Sequence, residues 1–422
     1  MNKVVDISES YSTLVADYGS PLYVYNLDKV AQRITELRQF LPLNSHIYYS
    51  LKPNPLPAIA RTAVEHNCRL EVTSENELEV AVKTGINPEN ILFSGPGKTE
   101  AEIRKSLQAN ACFFSVEGWT DLNRVDKIAK EIKKNVRVLL RVNPEQSLRS
   151  GLSMSGLPTQ FGFEESDLID HWSKLGELSE HTTVQGFHIY YGSQVPDAST
   201  LAQSFQLGIE CVERICTKHN FEPSVLDLGG GFPWAYARVQ EETTIENLHN
   251  IIDSAIENRQ YTKNAELWFE SGRYICASSG TLVSSILEIK QSKNESRFVI
   301  LDAGINHLGG MTGLGRIPRD YTSISSKQNR RVTSNEIDEL QEVTVVGPLC
   351  SPLDCMARKA QLPLDLQPGD LIMVPNVGAY GLTASLVAFL TKPPPIEISL
   401  KNGHVIAVEQ LNHLSHNRLS VN

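Results

Sequence analysis

Eight short apolar runs, each closing on a polar or glycine-rich turn and separated by helical sequence, recur along the first 275 residues. They are HIYYSLK (46–52), LEVTS (70–74), ILFSG (91–95), CFFSV (112–116), RVLLRVN (137–143), GFHIYYG (186–192), VLDLGGG (225–231) and LWFESG (267–272). A parallel strand buried on both faces reads as a near-continuous run of β-branched and aromatic residues, and eight of them alternating with helices predict a (β/α)8 barrel. Barrels carry their chemistry at the C-terminal ends of the strands. The residues to weigh are therefore Lys52, Ser74, Asn143, Tyr190, Gly229, Gly230, Gly231, Glu270 and Arg273.

The segments between the runs read helical. LDKVAQRITELRQFL (27–41) sets Val30, Ile34, Leu37 and Leu41 at three- and four-residue spacing, and LHNIIDSAIENRQY (248–261) repeats the pattern. KIAKEIKKNVR (127–137) alternates Lys with Ile and Ala at helical spacing, which is a solvated helix face rather than a basic site. After residue 275 the texture turns strand-rich: TLVSSILEIKQ (281–291), RFVILDAG (297–304), EVTVVGPLC (342–350), DLIMVPNVGAY (370–380) and EISLKNGHVIAVEQ (397–410), the last with Asn-Gly at a hairpin tip. These predict a second, mostly antiparallel domain, a β-barrel or sandwich. With the early strand PLYVYN (21–26) the expected division is a barrel over 28–275 and a β-domain from 1–27 and 276–422. The stretch 311–334 has no period and reads as a loop.

Charge and cysteine usage narrow the partners. A net charge of −10 argues against non-specific nucleic-acid binding, which needs surplus Lys and Arg to neutralise phosphates. The first residues lack an apolar h-region, and no later run approaches the roughly 18 residues that a membrane helix needs. Seven cysteines without a CxxC pair suit free thiols in a reducing compartment, so a cytoplasmic location is expected, with no membrane partner.

Lys52 ends an aromatic-rich run, where a low-dielectric pocket would favour a neutral amine for Schiff-base chemistry; a lysine snorkelling from the barrel mouth is the other reading. DLGGGFP offers glycine amides to an oxyanion, or simply a tight turn. ESGR adds Arg273 for phosphate and Glu270 for something cationic, and barrel phosphate sites use the loops after strands seven and eight. An amine, a phosphate cradle and an interior carboxylate together describe a pyridoxal 5'-phosphate site.

At this point the chain resembles the fold-type III pyridoxal-phosphate decarboxylases, the family of diaminopimelate, ornithine and arginine decarboxylases. The matching segments are YSLKPN (49–54), EVTSENEL (71–78), FSGPGK (93–98), RVNP (141–144), FGF (161–163), YYGSQ (190–194), DLGGGF (227–232), ESGR (270–273), GPLCSPLD (347–354) and GAY (378–380). The resemblance implies an alanine-racemase-type barrel with a β-domain and a head-to-tail homodimer with shared active sites. It implies that Lys52 carries the cofactor aldehyde, that Ser193, Gly229, Gly230, Gly231, Arg273 and Tyr380 hold its phosphate, and that Glu270 pairs with its pyridine nitrogen. Cys350 would protonate the product from across the dimer, a role that a thiol can fill near neutral pH. A racemase on this barrel usually places an arginine where Glu270 stands, so Glu270 favours decarboxylation.

Two departures bear on substrate. Tyr190 occupies the position at which most relatives stack a histidine on the cofactor, while His188 lies two residues earlier on the same strand face and is either a deeper site residue or a satisfied core histidine. Ser351 follows the cysteine where ornithine and diaminopimelate decarboxylases carry a carboxylate for the distal amine. These features are similar to the decarboxylase of butirosin biosynthesis, which acts on glutamate linked to an acyl-carrier protein, although Leu353 replaces a glutamate of that relative. An amino-acid substrate tethered to an acyl-carrier protein is the resulting expectation. The alternatives are a free diamino-acid decarboxylase, a racemase and an inactive regulatory homologue. Arg316, Arg319, Lys327, Arg330 and Arg331 could dock an acidic carrier or belong to a solvated loop, and Arg319 with Tyr321 could instead meet the substrate carboxylate.

Overall fold

The structure, a computed structural model, describes residues 7–146, 152–153, 159–195, 197–239, 248–293, 296–309, 324–327 and 339–411. It divides into two compact units, residues 31–234 with 242–275, and residues 1–30 with 235–241 and 276–422.

In the first unit eight parallel strands close on themselves: Ser45–Ser50, Arg69–Val72, Ile91–Phe93, Phe113–Val116, Val136–Asn143, Thr182–Ile189, Val225–Asp227 and Glu266–Ser271. The eighth returns to the first, with Trp268 beside His46 and Glu270 beside Tyr48. Each predicted run supplies one strand, and in six of the eight the glycine-rich or polar end falls in the turn beyond it, while Val116 and Asn143 still belong to their strands. The helix Leu27–Phe40 buries Val30, Ile34 and Leu37, and Leu41 just past its end is buried with them. The helix Leu248–Glu257 stops short of the predicted end because Glu213 accepts the amides of Gln260, Tyr261 and Thr262, which holds that stretch in a turn. On the helix Trp119–Ile132 the predicted solvated face is seen: Val125, Ile128 and Ala129 are buried while Lys127 and Lys130 are exposed.

Inward side chains two apart on a strand share a face, so the barrel interior stacks in tiers. At the bottom Arg69 pairs with Glu266 at 3.0 Å and lies over the Trp268 ring, 5.2 Å from its centroid, while Arg137 covers Phe113. Above them Tyr48, Leu92, Phe113, Leu139, Val225 and Trp268 form an apolar plug, the Trp268 ring centroid 4.7 Å from that of Tyr48 and 4.9 Å from that of Phe113. Two residues further along those strands come Ser94, Ser115, Arg141, Asp227 and Glu270, all buried. His188 joins this tier, in register with Arg141 on one side and Asp227 on the other. The change from apolar to ionisable side chains over one period of the strand places the site.

The second unit is a mixed sheet, mostly antiparallel. Leu22–Asn26 pairs antiparallel with Gly280–Gln291 and parallel with Ile396–Lys401, so the early strand belongs here. Arg297–Leu301, Leu340–Val346, Cys355–Pro363 and Leu371–Pro375 extend it. Ile396–Lys401 and His404–Gln410 form the predicted hairpin, with Asn402 and Gly403 at φ 51° and 76°, the left-handed pair that a tight hairpin turn requires. The strand Cys355–Pro363 has no counterpart in the sequence reading. Its register on Leu340–Val346 slips between Val343 and Val345, so Arg358 and Lys359 are exposed in succession and the period of two is lost. The helix Ile7–Tyr18 is also unforeseen; its Leu14 packs with Leu22, Val24, Val283 and Ile398. All seven cysteines are free, and among the described residues no helix is long and apolar enough to cross a membrane.

One buried carboxyl makes this sheet sensitive to pH. Glu397 lies opposite Glu409 in the hairpin and accepts a 2.8 Å hydrogen bond from the Tyr25 hydroxyl; burial, with a smaller contribution from Glu409, pushes its pKa up to about 7. The folded state therefore keeps a proton that the unfolded chain has already released, and stability falls as pH rises from the ordinary carboxyl range through about 7, by about 3 kcal/mol in all. Glu397→Gln is expected to remove this component. Denaturant unfolding at about pH 5 and about pH 8 should show a smaller difference in the variant than in the parent, and an equal difference would refute the assignment.

Candidate active site

A cavity of about 380 Å³ opens above the polar tier of the barrel. It is lined by Lys52, Glu71, Thr73, Arg141, Phe161, His188, Tyr190 and Glu270, with the turn Ser94 to Lys98 closing one side. Lys52 stands two residues past the first strand and is exposed, which fits a lysine at the barrel mouth rather than a desolvated amine. On the neighbouring eighth strand Glu270 is 9% exposed, and its Oε1 has no hydrogen-bond partner among the described residues. Burial, then the charges of Glu71 and Asp227, hold its carboxyl well above the usual range, while Arg141 and Lys52 pull it back. A buried acceptor without a donor is unfavourable unless a donor completes it, and the carboxylate has a second oxygen for a cationic group in the cavity.

Arg141 is the main cation of the polar tier. Its Nη1 donates to Glu117 at 2.8 Å, and its guanidinium lies 4.7 Å from the Phe161 ring centroid and 5.8 Å from that of Tyr190. Glu117 in turn accepts the Gly162 amide, which draws the FGF segment against the barrel. Lys98 is structural: its Nζ reaches Asp121, the Gly95 carbonyl and the Ser115 carbonyl, each at 2.7 Å, and pins the FSGPGK turn. Ser74 caps the helix Glu75–Lys83 by accepting the Glu77 amide, and Asn143 donates to Glu164.

The three glycines after the seventh strand also let neighbouring strand ends approach closely. A Cβ on Gly229 would fall 2.6 Å from the Tyr190 ring, and one on Gly230 would fall 2.0 Å from the Glu270 carbonyl oxygen. Their first requirement is thus close approach of neighbouring strand ends, and the Gly229 amide is already taken by Asp227 at 2.9 Å. The amides left for an anion are those of Gly230 and Gly231. Ser193 is half-buried with its Oγ 2.9 Å from the Tyr190 hydroxyl. Gln194 ties this loop to the one after the seventh strand, its side-chain amide bonded at 2.9 Å to both the N–H and the carbonyl of Trp234. Arg273 opens the short helix Arg273–Cys276 beyond the eighth strand.

The remaining predicted residues lie in the second unit. Cys350 is exposed on a loop organised by Asp354, whose buried carboxylate accepts the amides of Ile305 at 2.8 Å and Leu349 at 2.7 Å. Gly304 and Gly347 leave the room for that carboxylate, since a Cβ on either would come within 2.5 Å of it. The Ser351 hydroxyl accepts the Leu353 amide at 3.2 Å within the same turn. Tyr380 is half-buried, in the left-handed region at φ 56°. Arg316, Arg319, Tyr321, Arg330 and Arg331, and the side chain of Lys327, lie outside the described residues.

The sequence reading passed over Arg141, Glu71 and Asp227, although each is an ionisable residue inside an apolar run, at the inward register of its strand. His188 was noticed for its strand face, and it reaches the same tier. The residues present fit pyridoxal phosphate: an amine and an unsatisfied buried carboxylate face one cavity, with Tyr190 beside them and the glycine amides of the seventh strand end close by.

Comparison with known proteins agrees. The family described as "Pyridoxal-dependent decarboxylase, pyridoxal binding domain" matches residues 27–277. The chain is 32% identical over 400 residues to the L-glutamyl-[BtrI acyl-carrier protein] decarboxylase of Niallia circulans, covering 93% of this chain and 91% of that one. It is 27% identical to the diaminopimelate decarboxylase of Aquifex aeolicus, covering 94% and 90%. The crystal structure of diaminopimelate decarboxylase from Helicobacter pylori with L-lysine superposes with a TM-score of 0.80 at 26% identity, covering 95% of each chain. The chain belongs to the pyridoxal-dependent decarboxylases, with the (β/α)8 barrel and separate β-domain of that family, and it is an amino-acid decarboxylase that uses pyridoxal 5'-phosphate.

Proposed function

We propose that the barrel cavity is the catalytic site and that its substrate is an amino acid whose far end is not a free ammonium group, carried on an acyl-carrier protein. The observation that carries the catalytic half is Glu270: a buried carboxylate with an unsatisfied oxygen, lining the same cavity as the Lys52 amine. The chemistry supplied by the bound cofactor is electron withdrawal, which lets the α-carboxylate leave as CO2. The rest is done by side chains. Lys52 would hold the cofactor through its aldehyde. Glu270 would pair with the ring nitrogen, Tyr190 would lie beside the ring, and Ser193, Gly230, Gly231, Arg273 and Tyr380 would hold the phosphate. Cys350 delivers the proton that replaces CO2, reaching the site across a head-to-tail homodimer.

The substrate half rests on Ser351. It stands where a carboxylate would meet a distal amine, and its hydroxyl, which accepts the Leu353 amide, carries no counter-charge. A buried cationic chain end without a counter-charge is strongly disfavoured, so a free diamino acid is the poorer guest. The similarity over 93% of the chain to an enzyme named for a glutamyl carrier protein supports a tethered substrate. The runner-up, a free diamino acid, has the diaminopimelate decarboxylases in its favour.

Two measurements test this reading. CO2 release from a panel of free amino acids and of the same residues loaded on an acyl-carrier protein should occur with the loaded form; turnover of free lysine, ornithine or diaminopimelate with no gain from the carrier would reverse the substrate assignment. Cys350→Ala should retain cofactor while losing control of protonation, so that carbonyl by-product rises and amine yield drops by about tenfold or more. An unchanged amine yield would remove Cys350 from the reaction.

A further inference from the structure

His188 has no part in the chemistry so far, yet it is the most enclosed ionisable group of the polar tier among those lining the cavity, at 2% exposure. Its Nδ1 lies 2.8 Å from Ser115 Oγ, and its Nε2 lies 3.7 Å from Glu270 Oε1. Neither His188 Nε2, Glu270 Oε1 nor Asp227 Oδ2 has a hydrogen-bond partner among the described residues. The facing atoms of His188, Asp227 and Glu270 all fall within 4.8 Å of one another. A few tenths of an ångström of closure would satisfy two orphaned atoms at once.

We infer that His188 is a positioning residue for Glu270. The Ser115 hydroxyl donates to Nδ1, and the imidazole proton sits on Nε2; that N–H donates to Glu270 Oε1 and leaves the other carboxylate oxygen for the cofactor's ring nitrogen. The inference rests on the reading of Glu270 as the partner of that nitrogen.

The electrostatics of the tier favour this arrangement. Glu270 sits between Glu71 and Asp227 in a buried place, and a carboxyl held protonated there could not keep a proton on the ring nitrogen. Arg141 and Lys52 oppose the effect only through space, whereas an N–H aimed at Oε1 stabilises the ionised form directly. His188 itself faces Arg141 from the fifth strand, Lys52 from beyond the first and Lys98 from beyond the third, which together with burial keep the imidazole neutral. A neutral imidazole has one N–H; an ionised carboxylate can only accept, so the proton belongs on the Nε2 that faces Glu270, and the Ser115 hydroxyl is free to donate to Nδ1. Asp227, pushed up to about 7 by burial and engaged with the Gly229 amide through its Oδ1, is the weaker competitor for that donor.

The test uses cofactor-saturated protein and reads the visible absorbance of the bound cofactor from about pH 6 to about pH 10, with cofactor affinity and melting temperature measured alongside. Glu270→Gln should displace the spectroscopic midpoint. Ser115→Ala and His188→Phe should move it part of the way in the same direction and weaken cofactor binding about tenfold, and His188→Gln, whose amide can replace the Nε2–H, should recover most of both. If His188→Phe and Ser115→Ala lower only the melting temperature and leave the midpoint in place, His188 is a packing residue and the inference falls. If Glu270→Gln leaves the spectrum unchanged, the assignment of Glu270 fails first and takes this one with it. Should His188→Phe not fold, Ser115→Ala decides alone. Uptake of one equivalent of Zn2+ by the cofactor-free protein, lost in His188→Gln, would make the cluster a metal site and also overturn the inference.

Discussion

The two-residue period of a parallel strand governs this molecule. In a closed barrel every second side chain points inward, and the strands turn together from apolar to ionisable: Tyr48, Leu92, Phe113, Leu139, Val225 and Trp268 below, Ser94, Ser115, Arg141, Asp227 and Glu270 above. The lower tier supplies the burial that makes the barrel stable. It also supplies the dry floor that gives the upper tier its altered acidities, since desolvation is the largest influence on Glu270, Asp227 and His188 alike. Stability and reactivity here are consecutive layers of the same strands.

Much of this was legible in the sequence because barrel strands are short, buried and punctuated. The eight runs each gave a strand, and the residues closing them gave Lys52, Tyr190 and Glu270 as cavity-lining groups. What escaped has a physical cause in each case. Arg141 sits in RVLLRVN, a run so apolar that it reads as plain core; the guanidinium is tolerated because Glu117 neutralises it and two aromatic rings flank it. The strand Cys355–Pro363 escaped because a bulge puts two charged residues side by side. The close packing at the glycines escaped because a glycine run does not show what lies behind it: the space at Gly229 and Gly230 is filled by the Tyr190 ring and the Glu270 carbonyl.

Several family segments turn out to hold the site rather than act in it. FSGPGK is held by the buried ammonium of Lys98, EVTSENEL by the Ser74 cap and by Glu77 reaching back to the Thr73 amide, and YYGSQ by the Gln194 bonds to Trp234. These contacts set charged, amide or hydroxyl side chains on backbone groups of the loops, which fixes the loops by satisfying their main-chain donors and acceptors. A motif conspicuous in sequence can therefore mark a joint as readily as a reactive group.

The loop around Cys350 shows what such a joint permits. Asp354 grips it from one end through the Leu349 amide and from the neighbouring turn through Ile305, while Ser351, Pro352 and Leu353 lie between, with Leu353 55% exposed. The thiol's position is thus set by residues on either side of the span, and the span itself carries little of the packing. Those three residues can be exchanged, a carboxylate for a hydroxyl or an acid for a leucine, without loosening the exposed thiol beside them. On the role proposed for Cys350, a segment of this kind lets the residues that meet the substrate change while the thiol keeps its place.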